Sequence, residues 1–517
     1  MLLPTLDRSV VDPATAPTEC EAASGTVADR PLRPSTTLKA ASAPAATARR
    51  HPAKWNAPLY AVLAAALPLV LAAPQGLNAQ ASEDLPGPDF VLDFATGLEV
   101  SDNYESIRDP SGTSVVFTNR LGLSFDSQTR NQALSLNAGI TYEEGEFADD
   151  PDAGGFDRPF IGVDYSLFNR STLLSFGARY SERDNDATTF VEDPDSSDLT
   201  VDSGTRVDTN YNLEFVFGRD APATFTFTTD FDERRFDDTS DPSLTDQTIL
   251  RYGSQIDLRL SENTTLNFIG SYRERDEEDA GDTEEINSRI GAGLTVVTRT
   301  GLEMRAALSF DRNETTETVN GDRRTETEEL PRFNFDLVQA RQNGNVTAAL
   351  SQRLTDTGGR TDLAFGRELD LRNGGELSAS FGVSAGENDD EIRPITSITY
   401  AQPLPRGQIQ ASLRTSIRTD DTDGDVISTR GNLGITRELT RLSSLSLSMN
   451  LSASDAVDAD GTDRSRSQVG VTYRHQLTRD WSFNTGVRHS ISRETDRNPI
   501  VVNTVFANLS RQFDLRP

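Results

Sequence analysis

The sequence predicts an all-β fold. It is a transmembrane antiparallel up-and-down β-barrel of about 22 strands, within a range of about 20 to 24, with long acidic extracellular loops and short periplasmic turns. Three observations carry this prediction. From Phe90 to Phe513 apolar and polar residues alternate with a period of two in short segments, the pattern of strands with one apolar and one polar face. The connections between segments alternate short and long, as a barrel with two unlike ends requires. No helical window of comparable quality appears.

Composition narrows the classes further. The chain has 517 residues, 81 acidic and 50 basic side chains, a formal charge of -31 and only 35% hydrophobic residues. With a mean hydropathy of -0.50, a helical membrane bundle is excluded. Thiolate and imidazole are confined to Cys20, His51, His475 and His489. Zinc, haem and iron–sulfur sites therefore have almost no ligands, and no disulfide framework can form. So acidic a balance also argues against nucleic acid as a partner, because phosphate binding needs a basic face.

Residues 1–48 are rich in Ala, Pro, Thr and Ser without hydrophobic periodicity, and are expected to be a disordered extension or to precede the true start. Arg49, Arg50, His51 and Lys54 come next, then APLYAVLAAALPLVLAA at 57–73, then Ala79-Gln80-Ala81. This is the charged, apolar, small-residue order of a secretory signal peptide. Residues 49–81 are read as that signal, 82–89 as a short linker, 90–513 as the barrel and 514–517 as a tail. After Lys54 no lysine or cysteine occurs, so every formally charged base of the barrel is Arg. A GC-rich genome explains that blandly; Arg forks suited to carboxylate pairing explain it functionally.

Within the barrel, Leu92, Phe94, Leu98 and Val100 alternate with Asp93, Ala95, Gly97, Glu99 and Ser101, and Leu134, Leu136, Ala138, Ile140 and Tyr142 alternate with Ser135, Asn137, Gly139, Thr141 and Glu143. The same pattern recurs near 206–217 and 444–451. Short connections include FNRST at 168–172, SENTT at 261–265, TRTG at 298–301, RNGG at 372–375 and TRD at 478–480; long ones lie near 143–159, 183–204, 233–245, 274–285, 312–328 and 454–463. The weakest segments are those near 331–341 and 361–371, where Arg367 falls on the apolar parity.

A soluble β-sandwich would also alternate, and two features favour lipid instead. The mature chain allows roughly 20 residues per strand plus connection, as expected for membrane strands of about ten residues. Tyr104, Tyr142, Tyr180, Phe231, Tyr272 and Phe310 each stand at the last outward position before a long acidic loop, and Trp481 stands beside a short turn. They are read as two interfacial aromatic girdles.

A hairpin motif of two strands joined by a polar, Ser/Thr-capped turn recurs as YSLFNRSTLLSF (165–176), LRLSENTTLNF (258–268), ITRELTRLSSLSL (435–447) and RHQLTRDWSFN (474–484). On these motifs residues 90–513 resemble the porin-like outer-membrane β-barrel proteins of Gram-negative bacteria. The final stretch VFANLSRQFDLRP, with Val505, Ala507, Leu509 and Phe513 on one parity interrupted by Arg511, resembles the terminal strand that the barrel assembly machinery reads. The resemblance implies outer-membrane lipid and lipopolysaccharide as surroundings and a mostly passive pore, in some members linked to polysaccharide export. It says little about cargo.

The polar parity carries Arg120, Arg179, Arg206, Arg251, Arg259, Arg273, Arg289, Arg305, Arg414, Arg430, Arg474 and Arg488, with Asp93, Asp126, Asp164, Asp208, Glu214, Asp230, Asp257 and Glu303 among them. Two readings stay open. Fixed arginines can line a constriction that attracts anionic solutes, or they can form a cross-strand Arg–carboxylate ladder that only satisfies the wall. Transporters of about 22 strands carry a plug; the first strand begins a few residues after the expected cleavage site, which disfavours energised transport through a plugged barrel.

Calcium loops are not expected. An EF-hand places Gly sixth and Glu twelfth, whereas from Asp421 in DDTDGD (420–425) Gly comes fourth and the twelfth residue is Asn432, and from Asp458 in DADGTD (458–463) the twelfth is Val469. Asp-Gly turns account for both stretches. Catalysis is not expected either: His489 and Ser490 fall on opposite strand faces, His475 lies near a short turn, and no nucleophile elbow, HExxH or phosphate-binding glycine loop occurs. The reading is an outer-membrane barrel, without cofactor or metal, that passes small hydrophilic or anionic solutes. The competing readings are a closed structural or adhesion barrel with acidic surface loops, and a barrel associated with polysaccharide export. Oligomeric state carries no signal.

Overall fold

The computed structural model describes residues 88–149, 154–184, 204–239, 244–279, 281–319, 322–355, 358–387, 391–420, 424–457 and 462–515. They form 22 strands. In order these are β1 (Asp89–Ser101), β2 (Ser114–Gln128), β3 (Gln132–Glu146), β4 (Gly155–Phe168), β5 (Thr172–Asp184), β6 (Thr205–Phe217), β7 (Ala223–Asp237), β8 (Gln247–Ser261), β9 (Thr264–Glu277), β10 (Thr283–Val297) and β11 (Leu302–Val319). The second half comprises β12 (Asp322–Arg341), β13 (Gly344–Thr355), β14 (Gly358–Asp370), β15 (Glu376–Gly386), β16 (Ile392–Leu404), β17 (Gly407–Asp420), β18 (Gly424–Thr440), β19 (Ser443–Ala456), β20 (Arg464–Gln476), β21 (Trp481–Glu494) and β22 (Ile500–Asp514). Each strand pairs antiparallel with the next, and β22 returns to β1 from Val91↔Asp514 to Ser101↔Thr504. The sheet is closed and leaves no whole strand as a free edge, which satisfies backbone polar groups in lipid.

Register fixes the two faces. Leu98 stands opposite Phe117 and Phe94 opposite Leu121, whereas Ala95 meets Arg120 and Gly97 meets Thr118. The first set is solvent-exposed in the isolated chain: Leu98, Phe117, Leu121, Ile290, Leu308, Phe365 and Phe381 are exposed large apolar side chains. The apolar side chains therefore form an outward belt, and the inner face is built from Ser, Thr, Asn, Gly, Arg and carboxylates. No helix among the described residues is long and apolar enough to cross a membrane.

One sequence expectation is corrected. Residues 312–328, read as a long loop, mostly continue β11 and β12, with Thr316↔Thr325 and Glu317↔Arg324 in register. Thr316 and Thr325 hydroxyls bond at 3.0 Å. Polar side chains with good cross-strand partners extend a ladder beyond the apolar belt, so hydrophobicity stops before the strand does. Prolines also shape the sheet. The β3–β4 register slips between Gly139 and Thr141, where Pro159 follows Arg158 in its left-handed conformation (φ 49°).

Candidate functional site

The outer face supplies two bands. Tyr180, Phe231, Tyr272 and Phe310 lie eight residues after the first residue of β5, β7, β9 and β11, and Tyr142 lies ten into β3. At about 3.4 Å per residue and a tilt of about 40°, eight residues climb about 20 Å. Several rings meet neighbours there: Tyr142 stands edge-on to Phe156 at 5.3 Å, Phe231 lies 5.9 Å from Tyr211 and Tyr272 lies 6.3 Å from Tyr252. Trp481 opens β21 at the opposite end, in register with Arg511. The Arg511 guanidinium lies 5.3 Å from the Trp481 ring and 4.2 Å from Phe513, so this basic interruption of the apolar parity rests on aromatic faces at the short-turn rim. Arg367 is placed similarly: its Nη2 donates to Asn343 Oδ1 of the β12–β13 turn at 2.8 Å.

Tyr104 departs from the girdle. It lies beyond the end of β1, where strand parity no longer governs direction, and its hydroxyl donates to Glu143 Oε2 at 2.6 Å while accepting from Arg158 Nη2 at 3.3 Å. Its ring stands edge-on to Phe147 at 5.4 Å. Glu143 pairs with Thr118 of the inner face. Burial, and after it the Glu143 carboxylate, push the Tyr104 phenol well above its ordinary range.

Register puts all twelve arginines of the polar parity on the inner face, but their surroundings differ along the wall. From β4 to β11 all but Arg259 are paired. Arg179 lies 3.7 Å from Asp164, Arg206 2.9 Å from Asp208, Arg273 3.7 Å from Glu285, Arg289 2.7 Å from Asp311 and Arg305 2.6 Å from Glu303. Arg251 pairs with Asp232. Like charges set opposite each other, such as Arg183↔Arg206, share a carboxylate, here Asp208. This half is a charge ladder.

The half from β16 to β22 is built differently. Every carboxylate that register places on its inner face stands near a strand end, as Glu438 and Glu494 do, and none lies mid-strand. Arg414 stands directly opposite Arg430, and Arg488 opposite Gly470, amid Ser, Asn and Gln. Among the described residues Arg414, Arg474 and Arg488 bond no carboxylate; Arg488 instead lies over the Phe506 ring at 5.8 Å. On β2, Arg120 lies over the Phe160 ring at 5.7 Å, and Arg259 on β8 has no carboxylate bond among the described residues. A cavity of about 460 Å³ opens against the arginine half, lined by Arg353, Asp362, Ser397, Arg414, Ser416 and Arg418. A second of about 740 Å³ lies nearer the short-turn end, beside Glu368, Asp370 and Glu376.

Sequence parity missed the contacts that cross the wall. Arg360 on β14 donates from Nη2 to Asp425 Oδ2 on β18 at 2.6 Å and from Nη1 to Ser384 Oγ at 3.3 Å. Arg353 on β13 donates to the Ile417 carbonyl on β17 at 2.7 Å. Arg360 and Asp425 are both fully buried. Residues 421–423 and 458–461 of the two acidic loops lie outside the described residues. The acidic group Glu274, Asp276 and Glu284 sits on the outer parity above Tyr272, where Tyr272 and Arg323 bond two of its members.

No protein-family model matches the sequence, and no curated protein matches it. Solved structures match the fold. The ferric-catecholate import receptor Fiu of E. coli superposes with a TM-score of 0.56 at 11% identity, covering 82% of this chain and 82% of that one. The siderophore receptor PirA of Acinetobacter baumannii gives 0.52 at 9% identity over 83% and 81%, and the FrpB iron transporter of Neisseria meningitidis gives 0.52 at 11% over 82% and 81%. At these identities the likeness is one of fold. The closed 22-strand sheet, its outward apolar belt and these receptor-fold neighbours place the protein in the bacterial outer membrane.

Proposed function

We propose that the protein is a non-catalytic outer-membrane barrel that passes small hydrophilic, anionic solutes along the arginine wall of β16 to β22. The observation that carries this reading is the asymmetry of the inner face. A barrel that only needed to satisfy its charges would repeat the ladder of β4 to β11 all the way round, and this one sets arginines among Ser, Asn and Gln on the other half. The guanidinium groups of Arg414, Arg474 and Arg488, which bond no carboxylate among the described residues, attract carboxylates and phosphates, and rings or stripes of fixed charge set selectivity. The same asymmetry weighs against a closed adhesion barrel. Lipid and lipopolysaccharide contact the outer belt, and the Trp481–Arg511–Phe513 cluster marks the terminal strand for the assembly machinery.

A second reading, capture of an anionic ferric chelate, is favoured by the fold neighbours, which are named as ferric-catecholate and siderophore receptors. Uptake into liposomes bearing the purified protein separates the two. The pore reading expects anionic solutes to enter faster than neutral ones of equal size, with a rate that rises linearly with concentration. Saturable, high-affinity retention of a ferric catecholate without bulk permeability would replace it by the second reading.

A further inference from the structure

The Arg360–Asp425 contact joins strands that the sheet order sets four apart. Four interstrand spacings of about 4.8 Å amount to about 19 Å along a regular wall, more than an Arg and an Asp side chain span together. The wall must fold here, and the ladders show where. Pairing between β12 and β13 stops at Asn334↔Ser351, although both strands continue upward. Pairing between β16 and β17 stops at Thr396↔Thr415, again with both strands continuing.

A proline stands just beyond each stop. Pro331 is paired with Phe310 of β11 and Pro394 with Val383 of β15, so each lacks an amide to offer the neighbour on its other side. Both splits begin at the height of the outer aromatic band, since Ser351 and Thr415 lie seven and eight residues into their strands. The 460 Å³ cavity sits in the second split, for Thr396, Thr415 and Ile417 of the outer parity line it beside Ser397 and Arg414 of the inner one.

We propose that the extracellular ends of β13 to β16 form a hinged flap, freed on both sides by Pro331 and Pro394. The inner face of the flap is latched over the outer side of the β17 and β18 ends by Arg360–Asp425 and by Arg353 on the Ile417 carbonyl, and it controls access to the arginine-lined cavity from the cell surface. Arg360 and Asp425 are buried while latched, and both gain water when the flap lifts. Breaking one partner of such a buried pair strongly favours the open arrangement.

The test reads access, so it does not depend on what the barrel transports. In a Cys20→Ser background, Ser397→Cys reports on the cavity and Ser111→Cys, on an exposed loop, normalises the reagent. Cells are treated with a small, uncharged, membrane-impermeant maleimide. Asp425→Asn is expected to raise the Ser397→Cys labelling rate on the order of a hundredfold and leave Ser111→Cys unchanged. The double variant Arg360→Gln/Asp425→Asn, which leaves no charge unpartnered within the pair, is expected to do the same and serves if the single variant does not give a heat-modifiable barrel. Restoring amides with Pro331→Val/Pro394→Val in the unlatched protein is expected to slow labelling again. Equal rates in the latched and unlatched barrels would overturn the flap, whether or not the protein conducts.

Discussion

Asp311 is where the charge ladder can be tested most sharply. Its Oδ1 accepts from Arg289 Nε at 2.7 Å and Ser309 Oγ at 3.4 Å, and its Oδ2 accepts from Arg289 Nη2 at 3.0 Å and Arg332 Nη1 at 3.5 Å. Asp311 is 1% exposed. Asp311→Ala therefore leaves two half-buried guanidinium groups without their shared anion. At an effective dielectric of about 20, one unit charge pair about 4 Å apart is worth about 4 kcal/mol, and breaking a buried pair typically costs about 3–5 kcal/mol. The neighbouring pair Glu303–Arg305 has the same chemistry, but its side chains are 29% and 58% exposed, so Glu303→Ala should cost no more than about 1 kcal/mol. Equilibrium guanidinium unfolding in lipid vesicles, followed by heat-modifiable migration, measures both. The expected difference is about 3 kcal/mol, and Arg289→Leu added to Asp311→Ala should recover part of it. Equal losses at the two sites would refute the argument that burial decides which rungs of the ladder matter.

Further outcomes follow from other parts of the barrel. Leu308 is 71% exposed on the outward belt, so Leu308→Arg should cost about 2–4 kcal/mol in a bilayer; a change within experimental error would argue that this face does not meet lipid. At the β16–β17 turn Gly407 has φ 139°, and a Cβ there would come within 2.0 Å of the Thr436 carbonyl oxygen. Gly407→Ala should cost about 1–3 kcal/mol, checked by the same unfolding measurement. The Tyr104 phenol has its pKa raised in the folded protein, so the stability linked to its protonation is complete below about pH 10 and is lost as pH rises toward the folded value. Alkaline titration of tyrosinate absorbance should consequently be the same for wild type and Tyr104→Phe up to about pH 11; a step near pH 10 missing from the variant would contradict the buried contact with Glu143.

Strand number and face were legible because a period of two needs no partner to be read. Each strand declares by itself which residues face lipid, and lipid tolerates few exceptions. Pairing was not legible, because it depends on register between strands and on wall curvature. Arg206 and Arg488 look alike in parity, yet one bonds Asp208 and the other lies over Phe506. Strand ends were misjudged at β11 and β12 since polar residues continue a ladder wherever cross-strand partners exist, as Thr316 and Thr325 do. Tyr104 was misplaced because the chain turns after Ser101 and parity ceases to apply. Pro331 and Pro394 carried a readable signal, a missing donor inside a strand, and it marks the splits that no hydrophobic pattern reveals.

The most direct test of the central claim is the reversal potential of single channels of the full protein, purified from outer membranes and placed in a planar bilayer under a salt gradient. The account predicts discrete conductance steps with anion preference, reduced in Arg414→Ala/Arg474→Ala/Arg488→Ala while heat-modifiable migration is retained. A folded barrel that stays silent, or one whose selectivity is unmoved by those three substitutions, would contradict it.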